Sequence, residues 1–162
     1  MQIRILIVAA LVLSVFSGCG GPQRPDGLPT LYPCELTITQ SGNPLEGASV
    51  RLVRETGTND WAITGRTDAN GVVKIFTHDF AGAPEGTFKV LVSKTALTES
   101  NIPKPAEGAS MDEWNQYQES KTSVSYVKPE YDSVKTSPHS ITIVQGKNKE
   151  TFDVGEPVEI RK

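Results

Sequence analysis

The stretch GNPLEGASVRLV, residues 42–53, decides the fold that we expect for this chain. Its second half places Ala48, Val50 and Leu52 at alternate positions, with polar side chains between them. Because successive side chains of a β-strand point to opposite faces, this alternation predicts a strand with one buried and one solvated face. Such a strand cannot bury its apolar face alone, so the pattern predicts a second sheet packed against it.

The same alternation recurs along the chain between turn signals. Apolar residues at alternate positions occur in residues 36–38, 61–63, 73–75, 88–92, 141–143 and 152–154. About seven short strands separated by glycine-rich turns predict an all-β fold, an immunoglobulin-like sandwich of two packed sheets. The length of 162 residues fits one domain of this type.

Glycine and asparagine mark the turns between these runs. We expect Gly42, Gly71 and Gly86 to occupy turns, because glycine adopts positive φ without steric cost. Residues 68–71, Asp-Ala-Asn-Gly, are typical of a hairpin, and we expect Asp68 to cap it by accepting backbone N–H hydrogen bonds. A calcium site there would need a distal glutamate at EF-hand spacing, which the sequence lacks, so we predict no metal site.

The charge of the chain argues against nucleic acid as a partner. Sixteen Lys and Arg residues stand against 19 Asp and Glu residues, which gives a formal net charge of −3 and a pI near 5.4. A nucleic-acid-binding protein normally presents a basic face to the phosphates. No such excess of basic residues is found in this sequence.

The first 18 residues have the order of a secretory signal peptide. Arg4 supplies a positive start, residues 5–16 are apolar apart from Ser14, and two small residues follow. The apolar run is 12 residues long, fewer than the roughly 20 that cross a bilayer as a helix. We therefore predict that residues 1–18 are a signal peptide and not a membrane anchor.

Phe16-Ser17-Gly18-Cys19 resembles the lipobox of bacterial lipoproteins. The resemblance implies that Cys19 becomes the first residue of the mature chain and carries acyl groups such as palmitate. Residues 19–33 begin with a loose Gly- and Pro-rich sequence, so we expect a flexible tether there. The acyl chains would hold the exported protein on the membrane of the cell envelope. Because Gly20 stands where an inner-membrane retention signal has aspartate, the outer membrane is favoured in a host with two membranes.

Removal of residues 1–18 would leave Cys34 as the one cysteine besides the lipidated residue. Cys34 alternates with Leu36 and Ile38, which places it on the inward face of a strand. We expect a buried thiol of low reactivity, because apolar surroundings raise the pKa of a thiol. A reactive or intermolecular thiol is the alternative.

Residues 95–138 break the alternating pattern, contain four prolines and predict a long insertion between strands. Ser110 and Glu113 have the S-x-x-E form of a capping box, which predicts a short helix over about residues 111–120. The candidates for a contact surface are the aromatic residues of the insertion: Trp114, Tyr117, Tyr126 and Tyr131. The alternative for Trp114 and Tyr117, on the predicted helix, is that their rings cover one open end of the core.

Three stretches match glycine-containing patterns of one domain family. Residues 42–52 match G-x-P-L-x-G-A-x-V-x-L, residues 65–75 are similar to G-x-T-D-x-x-G followed by alternating apolar residues, and residues 86–94 are similar to G-x-Y-x-V-x-V-x-K. Together they resemble the carboxypeptidase regulatory-like domain, a transthyretin-like (prealbumin-like) β-sandwich. The resemblance implies a single domain over residues 34–162, whose last strands begin after residue 138.

The sequence shows no recognised set of catalytic residues. Its two histidines, His78 and His139, are not part of an H-E-x-x-H or H-x-x-E motif. Neither a G-x-S-x-G elbow nor a Walker-type loop is present in the sequence. Transthyretin-like hydrolases end in Tyr-Arg-Gly-Ser, whereas this chain ends in residues 159–162, Glu-Ile-Arg-Lys. Ring-cleaving dioxygenases bind iron through two tyrosines and two histidines. Tyr126, Tyr131 and the two histidines match that number but not that spacing.

We therefore predict a lipid-anchored envelope protein that is not an enzyme, has no cofactor, and binds or scaffolds another envelope protein. Carbohydrate recognition is the first alternative, since related sandwiches occur beside glycan-active domains, and its ligand would be an envelope polysaccharide. A metal-dependent enzyme that uses His78 or His139 is the second alternative. It would need an orienting partner for the histidine, and the sequence does not display one.

Overall fold

The computed structural model describes residues 24–56 and 60–161. Residues 1–23, which include the predicted signal peptide (residues 1–18) and Cys19, residues 57–59 and residue 162 lie outside these ranges. Within the described ranges, no helix combines the length and the apolar composition that crossing a membrane requires.

The described part of the chain consists mainly of short β-strands. In chain order they are β1 (Leu31–Tyr32), β2 (Cys34–Gln40), β3 (Asn43–Pro44), β4 (Ser49–Arg54), β5 (Ile63–Arg66), β6 (Val72–Lys74), β7 (Phe76–Thr77), β8 (Phe80–Ala81), β9 (Ala83–Pro84), β10 (Gly86–Ser93), β11 (Thr95–Leu97), β12 (Ser123–Ser125), β13 (Ser140–Ile143), β14 (Asn148–Asp153) and β15 (Ile160–Arg161). An α-helix, α1, spans Met111–Glu119, and a 3₁₀ helix spans Pro129–Asp132.

Two sheets enclose the core. The larger sheet has the order β13-β10-β4-β5-β7-β8, and all of its neighbouring strands are antiparallel. In the facing sheet β2 lies between β14 and β3, and β6 also pairs with β2. The β2–β14 pairing is parallel and runs from Cys34↔Asn148 to Thr39↔Asp153. A small third sheet has the order β11-β12-β15, and β1 pairs with β9.

The core consists of the alternating apolar residues that the sequence predicts to face inward. Leu36 and Ile38 of β2 are fully buried, as are Val50 and Leu52 of β4 and Phe88 of β10. Full burial of an aliphatic or aromatic side chain contributes about 1.5–3 kcal/mol, so these positions dominate the stability. The two sheets and this core confirm the predicted all-β sandwich.

The turn at residues 68–71 differs from the predicted hairpin. Asp68 Oδ1 accepts hydrogen bonds from the backbone N–H groups of Asn70 and Val72, each at 2.9 Å, which is the capping role we expected. However, β5 before the turn belongs to the larger sheet, whereas β6 after it pairs with β2 in the facing sheet. Because β5 and β6 belong to different sheets, the turn carries the chain from one side of the core to the other.

Two segments predicted to lack strands contain them. Leu28 is buried and β1 pairs with β9, so the end of the predicted tether, residues 19–33, packs on the sandwich. Within the predicted insertion, residues 95–138, strands β11 and β12 pair with each other. All three residues of β11 are exposed, so this strand has no buried face to produce an apolar alternation.

Cys34 is buried, and its thiol is free. Desolvation, followed by the nearby Glu150 carboxylate, raises the pKa of the Cys34 thiol to about 11. Because the thiolate is the reactive form, we expect a thiol reagent to leave folded protein carrying Cys19→Ser unmodified at mildly alkaline pH. Addition of denaturant should expose Cys34 to the same reagent, which a colorimetric thiol assay measures. Equal reaction rates in both states would contradict this expectation.

Candidate functional site

Residues 95–125 form a hairpin-like unit that we call the arm. The arm begins with β11, separated from β10 by a single residue, and returns through β12, which is antiparallel to β11. Beyond the strands, Thr98 N–H donates a hydrogen bond to Thr122 O at 2.8 Å, and Thr122 N–H donates to Thr98 Oγ1 at 3.1 Å. The two sides of the arm thus continue next to each other past their last paired residues.

Helix α1 forms part of the returning side of the arm and lies beside the outgoing segment. The hydroxyl groups of Ser100 and Ser120 share a hydrogen bond just after the end of α1. Further out, Lys104 Nζ lies 6.0 Å from the ring centre of Trp114. These two contacts place the start of α1 toward the tip of the arm and its end next to the paired strands.

The start of α1 is fixed by the capping box that the sequence predicts. Glu113 N–H donates a hydrogen bond to Ser110 Oγ at 3.3 Å, and Ser110 N–H donates to Glu113 Oε2 at 2.8 Å. The backbone N–H and the hydroxyl of Ser110 hold the pKa of Glu113 below its ordinary value. The predicted helix is confirmed, although it ends at Glu119, one residue earlier than expected.

Trp114 and Tyr117 form an aromatic pair on α1. Their rings meet edge to face with 6.0 Å between centres, and Lys121 Nζ lies 4.7 Å from the ring centre of Tyr117. Both side chains are half-buried, yet no residue of α1 is fully buried and neither ring packs against the hydrophobic core. The alternative that these rings cover an open end of the core is therefore wrong.

The arm also exposes large aliphatic side chains. Within the described ranges, the large hydrophobic residues with the highest exposed fractions are Phe76 (40%), Leu97 (66%), Ile102 (36%), Met111 (76%) and Val144 (52%). Three of these five residues lie on the arm, and the other two lie at separate points of the sandwich. Three exposed large apolar side chains therefore belong to one surface element.

Tyr131, another predicted contact residue, packs on the sandwich. Its ring lies against the hydrophobic core and stacks on His139 with 5.4 Å between ring centres, and His139 in turn contacts Phe152 at 5.0 Å. Desolvation, followed by two neighbouring carboxylates, raises the pKa of Tyr131. These contacts give the Tyr131 ring a structural role at the side of the core.

Tyr126 lies next to the end of β12 and is half-buried. Its N–H donates a hydrogen bond to Lys94 O at 2.8 Å, and its carbonyl accepts one from Gln40 Nε2 at 2.8 Å. The backbone of Tyr126 thus joins the base of the arm to both main sheets. The structure brings Trp114 and Tyr117 into contact with each other, and neither ring makes an aromatic contact with Tyr126 or Tyr131.

Sequence reasoning missed the segment that covers one edge of β10. β13 pairs with the first half of β10, and residues 129–139 cover the rest. There, Val90 N–H donates to His139 O at 3.0 Å and Ser137 Oγ donates to Val90 O at 2.7 Å. Asp132 also forms a salt bridge of 2.6 Å with Arg51 of β4. The segment has neither strand alternation nor helical periodicity, so the sequence carries no signal for this role.

The two histidines have different surroundings. His78 lies in the turn between β7 and β8 with a φ of 55° and stacks on Trp61 at 6.4 Å. His139 Nε2 lies 2.8 Å from the carbonyl oxygen of Asp153. In residues 24–56 and 60–161, no three His, Cys, Asp or Glu side chains converge as ligands of a metal ion would.

The N-terminal segment and the arm join the sandwich at opposite ends. Cys34 starts β2 beside Asn148, whose side chain hydrogen-bonds Val144 just after β13. β2 ends at Gln40, whose side chain bonds Tyr126 at the base of the arm. At about 3.3 Å per residue, β2 separates these two ends by about 20 Å.

The N-terminal end carries basic side chains around a cleft of about 240 Å³. The charged residues that line this cleft are Glu35, Lys74, Lys147 and Lys149. Lys149 pairs with Glu35 at 2.6 Å, so Lys74 and Lys147 are the two charged residues of the cleft lining outside that ion pair.

Asp153 ties the Gly42 turn to the end of β14. Its carboxylate accepts hydrogen bonds from Thr39 Oγ1 at 2.7 Å, Gly42 N–H at 2.8 Å and Gly155 N–H at 2.7 Å. The Gly42 N–H, followed by the Thr39 hydroxyl, holds the pKa of Asp153 below its ordinary value.

We expect the stabilisation from Asp153 to disappear in acid. Since its pKa is lower in the folded state than the unfolded value of about 3.9, its contribution is complete above that value and is lost as the pH falls through the folded pKa. Replacement Asp153→Asn should lower the free energy of unfolding by about 1 kcal/mol at neutral pH and by much less in strong acid. Urea denaturation of both proteins at the two pH values measures this, and an equal difference at both would contradict it.

Comparison with known proteins gives two weak structural likenesses. No protein-family model and no curated protein match the chain. The major pilin subunit of Bacillus cereus has 22% identity and a TM-score of 0.42 over 78% of this chain and 30% of the pilin. A 9R-lipoxygenase from Cyanothece PCC8801 has 18% identity and a TM-score of 0.39 over 94% of this chain and 23% of the enzyme. The chain spans less than a third of either protein, and neither likeness assigns it a family or a function.

Proposed function

We propose that this chain is a lipid-anchored protein of the cell envelope whose β-sandwich is a non-catalytic module that binds another protein through the arm. The observation that carries the proposal is the exposure of Leu97, Ile102 and Met111 on the element that also holds the Trp114–Tyr117 pair. A soluble surface rarely gathers large apolar side chains unless a partner covers them. Aromatic residues at such a place are the usual anchors of an interface.

The contact surface that we propose is narrower than the set of four aromatics predicted from the sequence. The proposed surface keeps Trp114 and Tyr117, which do not pack on the core, together with the exposed aliphatic residues of the arm. We exclude Tyr131 and Tyr126 from this surface, because Tyr131 packs on the core and the backbone of Tyr126 bonds to the sandwich at the base of the arm.

We also propose that the sandwich is a carboxypeptidase regulatory-like, transthyretin-like domain. Each of the three stretches that resemble this family contains strand residues of the sandwich: residues 42–52 contain β3 and most of β4, residues 65–75 contain the end of β5 and all of β6, and residues 86–94 contain β10. Gly42 and Gly71 have φ values of 78° and 73°, which explains why the pattern has glycine at these turns.

The placement of the arm supports a partner away from the anchoring membrane. Acyl chains at Cys19 would hold the end of the sandwich where Cys34 begins β2. Lys74 and Lys147 at that end would face the headgroups, and lysines are attracted to anionic lipid. The arm would then extend from the far end, about 20 Å or more from the lipid surface.

Replacing Met111 and Trp114 with alanine is expected to abolish partner binding while leaving the sandwich folded. The experiment is crosslinking of the tagged, lipidated chain in native membranes, followed by mass spectrometry of the co-purified proteins. Wild-type protein should recover one protein near one-to-one, and the double variant should reduce the recovery by about tenfold or more, as loss of interface anchors does.

The matched control is the double variant Phe76→Ala and Val144→Ala. It removes two exposed apolar side chains that lie outside the arm, so it should leave recovery of the partner unchanged. If both double variants lose partner recovery equally, or if neither loses it, the arm is not the interface. Circular dichroism of the purified variants checks that both retain the β-sandwich.

A polysaccharide ligand is the second candidate, and one observation favours it. A groove of about 400 Å³ beside Trp61 is also lined by Arg51, Asp60 and Thr64, which combine an aromatic ring with hydrogen-bonding groups. Affinity electrophoresis in envelope polysaccharide tests this candidate. This candidate would be supported if the wild-type band is retarded, if Trp61→Ala abolishes the retardation, and if the Met111 and Trp114 double variant keeps it. An unretarded wild-type band would count against it.

A further inference from the structure

The arm carries the same formal charge as the whole chain. Its residues 95–125 contain two lysines against five carboxylates, a net charge of −3. The carboxylates of the arm are Glu99, Glu107, Asp112, Glu113 and Glu119. The remainder of the sequence is therefore neutral in sum, and the negative charge is concentrated on the element that carries three of the five exposed large apolar residues of the described ranges.

The two lysines of the arm are directed at its own aromatic rings. Lys104 Nζ lies 6.0 Å from the ring centre of Trp114, and Lys121 Nζ lies 4.7 Å from that of Tyr117. Both distances are within or at the range in which an ammonium group is attracted by the face of a ring. These contacts pair both basic groups of the arm with its own aromatic rings.

The carboxylates are not neutralised within the described part of the chain. The salt bridges found there involve Arg51, His78, Lys89 and Lys149, none of which lies on the arm. Glu113 is held by Ser110 in the capping box and keeps its negative charge, as its lowered pKa shows. All five carboxylates thus contribute charge that a partner would meet.

Exposed acidic residues lie close in sequence to exposed apolar residues at two places on the arm. Exposed Met111 precedes exposed Asp112 at the start of α1, and exposed Leu97 lies two residues before exposed Glu99. A partner that buries the apolar residues must therefore approach these carboxylates. Like charges brought together in an interface cost several kcal/mol, whereas opposite charges speed association and fix orientation.

From this we infer that the arm docks into an apolar groove rimmed by lysine or arginine on a protein partner. The inference rests on the proposed function and specifies the chemistry of the partner. The same charge disfavours an anionic lipid surface, which attracts basic segments and repels a segment with a net charge of −3.

The test places a photo-crosslinking amino acid at position 111 of the full lipidated chain in native envelopes, and a second probe at position 144 as control. We expect position 111 to form one protein adduct, with the crosslinked site in a surface region of the partner that is rich in Lys or Arg, and position 144 to form none of that species. Adduct yield should fall as NaCl is raised, because salt screens charges at an interface rim. It should also fall by about tenfold in the variant Glu107→Lys with Glu119→Lys.

This variant leaves the helix intact, because it spares the capping box and because a lysine near a helix C-terminus is favourable. The matched control Glu85→Lys with Glu150→Lys makes the same change of charge outside the arm and should not alter the yield. A protein adduct insensitive to salt and to Glu107→Lys with Glu119→Lys would overturn the inference and leave the proposed function standing. A lipid adduct, or none at position 111, would overturn both.

Discussion

Replacing Phe88 with alanine is expected to lower the free energy of unfolding by about 3–5 kcal/mol. Phe88 is a fully buried residue of β10 that belongs to the hydrophobic core, and the Arg54 guanidinium lies over its ring at 5.2 Å from the ring centre. Alanine would leave a cavity that two sheets held by continuous hydrogen bonding cannot collapse to fill. A domain of this size is stable by only about 5–15 kcal/mol, so the variant should unfold at a much lower urea concentration.

The matched control is Phe76→Ala, which removes the same ring from a position that is 40% exposed. Its cost should be smaller, about 1–2 kcal/mol, because this side chain already has a large part of its surface in contact with water. Chemical denaturation of the two variants measures the difference, provided that the free energy of unfolding falls with denaturant concentration at the same slope in both. Similar losses in both would show that burial at Phe88 is not what stabilises this part of the sandwich.

A second large loss is expected from Gly71→Ala, in the turn that crosses between the sheets. A Cβ at this position would lie 2.4 Å from Ile38 O and 3.1 Å from Leu45 N, and the φ of Gly71 is 73°. Since Gly71 O also accepts the Ile38 N–H at 2.8 Å, the backbone cannot move away without breaking that bond. We expect a cost of about 3 kcal/mol or more, the sum of the left-handed conformation and the clash.

Gly42→Ala separates these two causes. Gly42 has a similar φ of 78°, but a Cβ there would meet no atom within 4 Å. Its cost should be only the conformational one, about 1–2 kcal/mol. Thermal or urea denaturation of both variants gives the two values, and an equal loss would mean that the close approach at Gly71 relaxes freely.

Much of the fold follows from the alternation of apolar residues because burial on one face is a local property of a strand. Leu36, Val50 and Phe88 each lie on the face that their spacing predicts, and each is fully buried. Helix α1 was predictable for a similar reason. Ser110 and Glu113 form the capping box in the structure within four residues of sequence, so no distant contact decides it.

Strand pairing was harder to predict because a turn signal specifies a reversal and not the sheet that the next strand joins. The turn from Asp68 to Gly71 has hairpin residues, yet its two strands pair in different sheets. The parallel pairing of β14 with β2 joins residues more than 110 positions apart, and no local pattern encodes it. Strand β11 was missed because all its residues are exposed.

For the candidate site, the sequence identified Trp114 and Tyr117 but could not separate them from Tyr131. All four predicted aromatics lie in the same insertion, and only tertiary contacts show that Tyr131 belongs to the core. The exposure of Met111 and Leu97 was likewise not predictable, since an apolar residue in a segment without periodicity carries no information about which side it faces.

The opposite placement of the N-terminal segment and the arm has a mechanical consequence. A pulling force between a membrane anchor and a partner on the arm would first reach the β1–β9 pair. It would then pass along β2 from Cys34 and leave through β10 at Ser93. Both strands are interior members of their sheets, and their ladder hydrogen bonds lie across the strand direction. Such a force would load these bonds in shear, all at once, instead of opening them one by one. The sandwich is thus arranged to transmit tension along its length without unzipping from an edge.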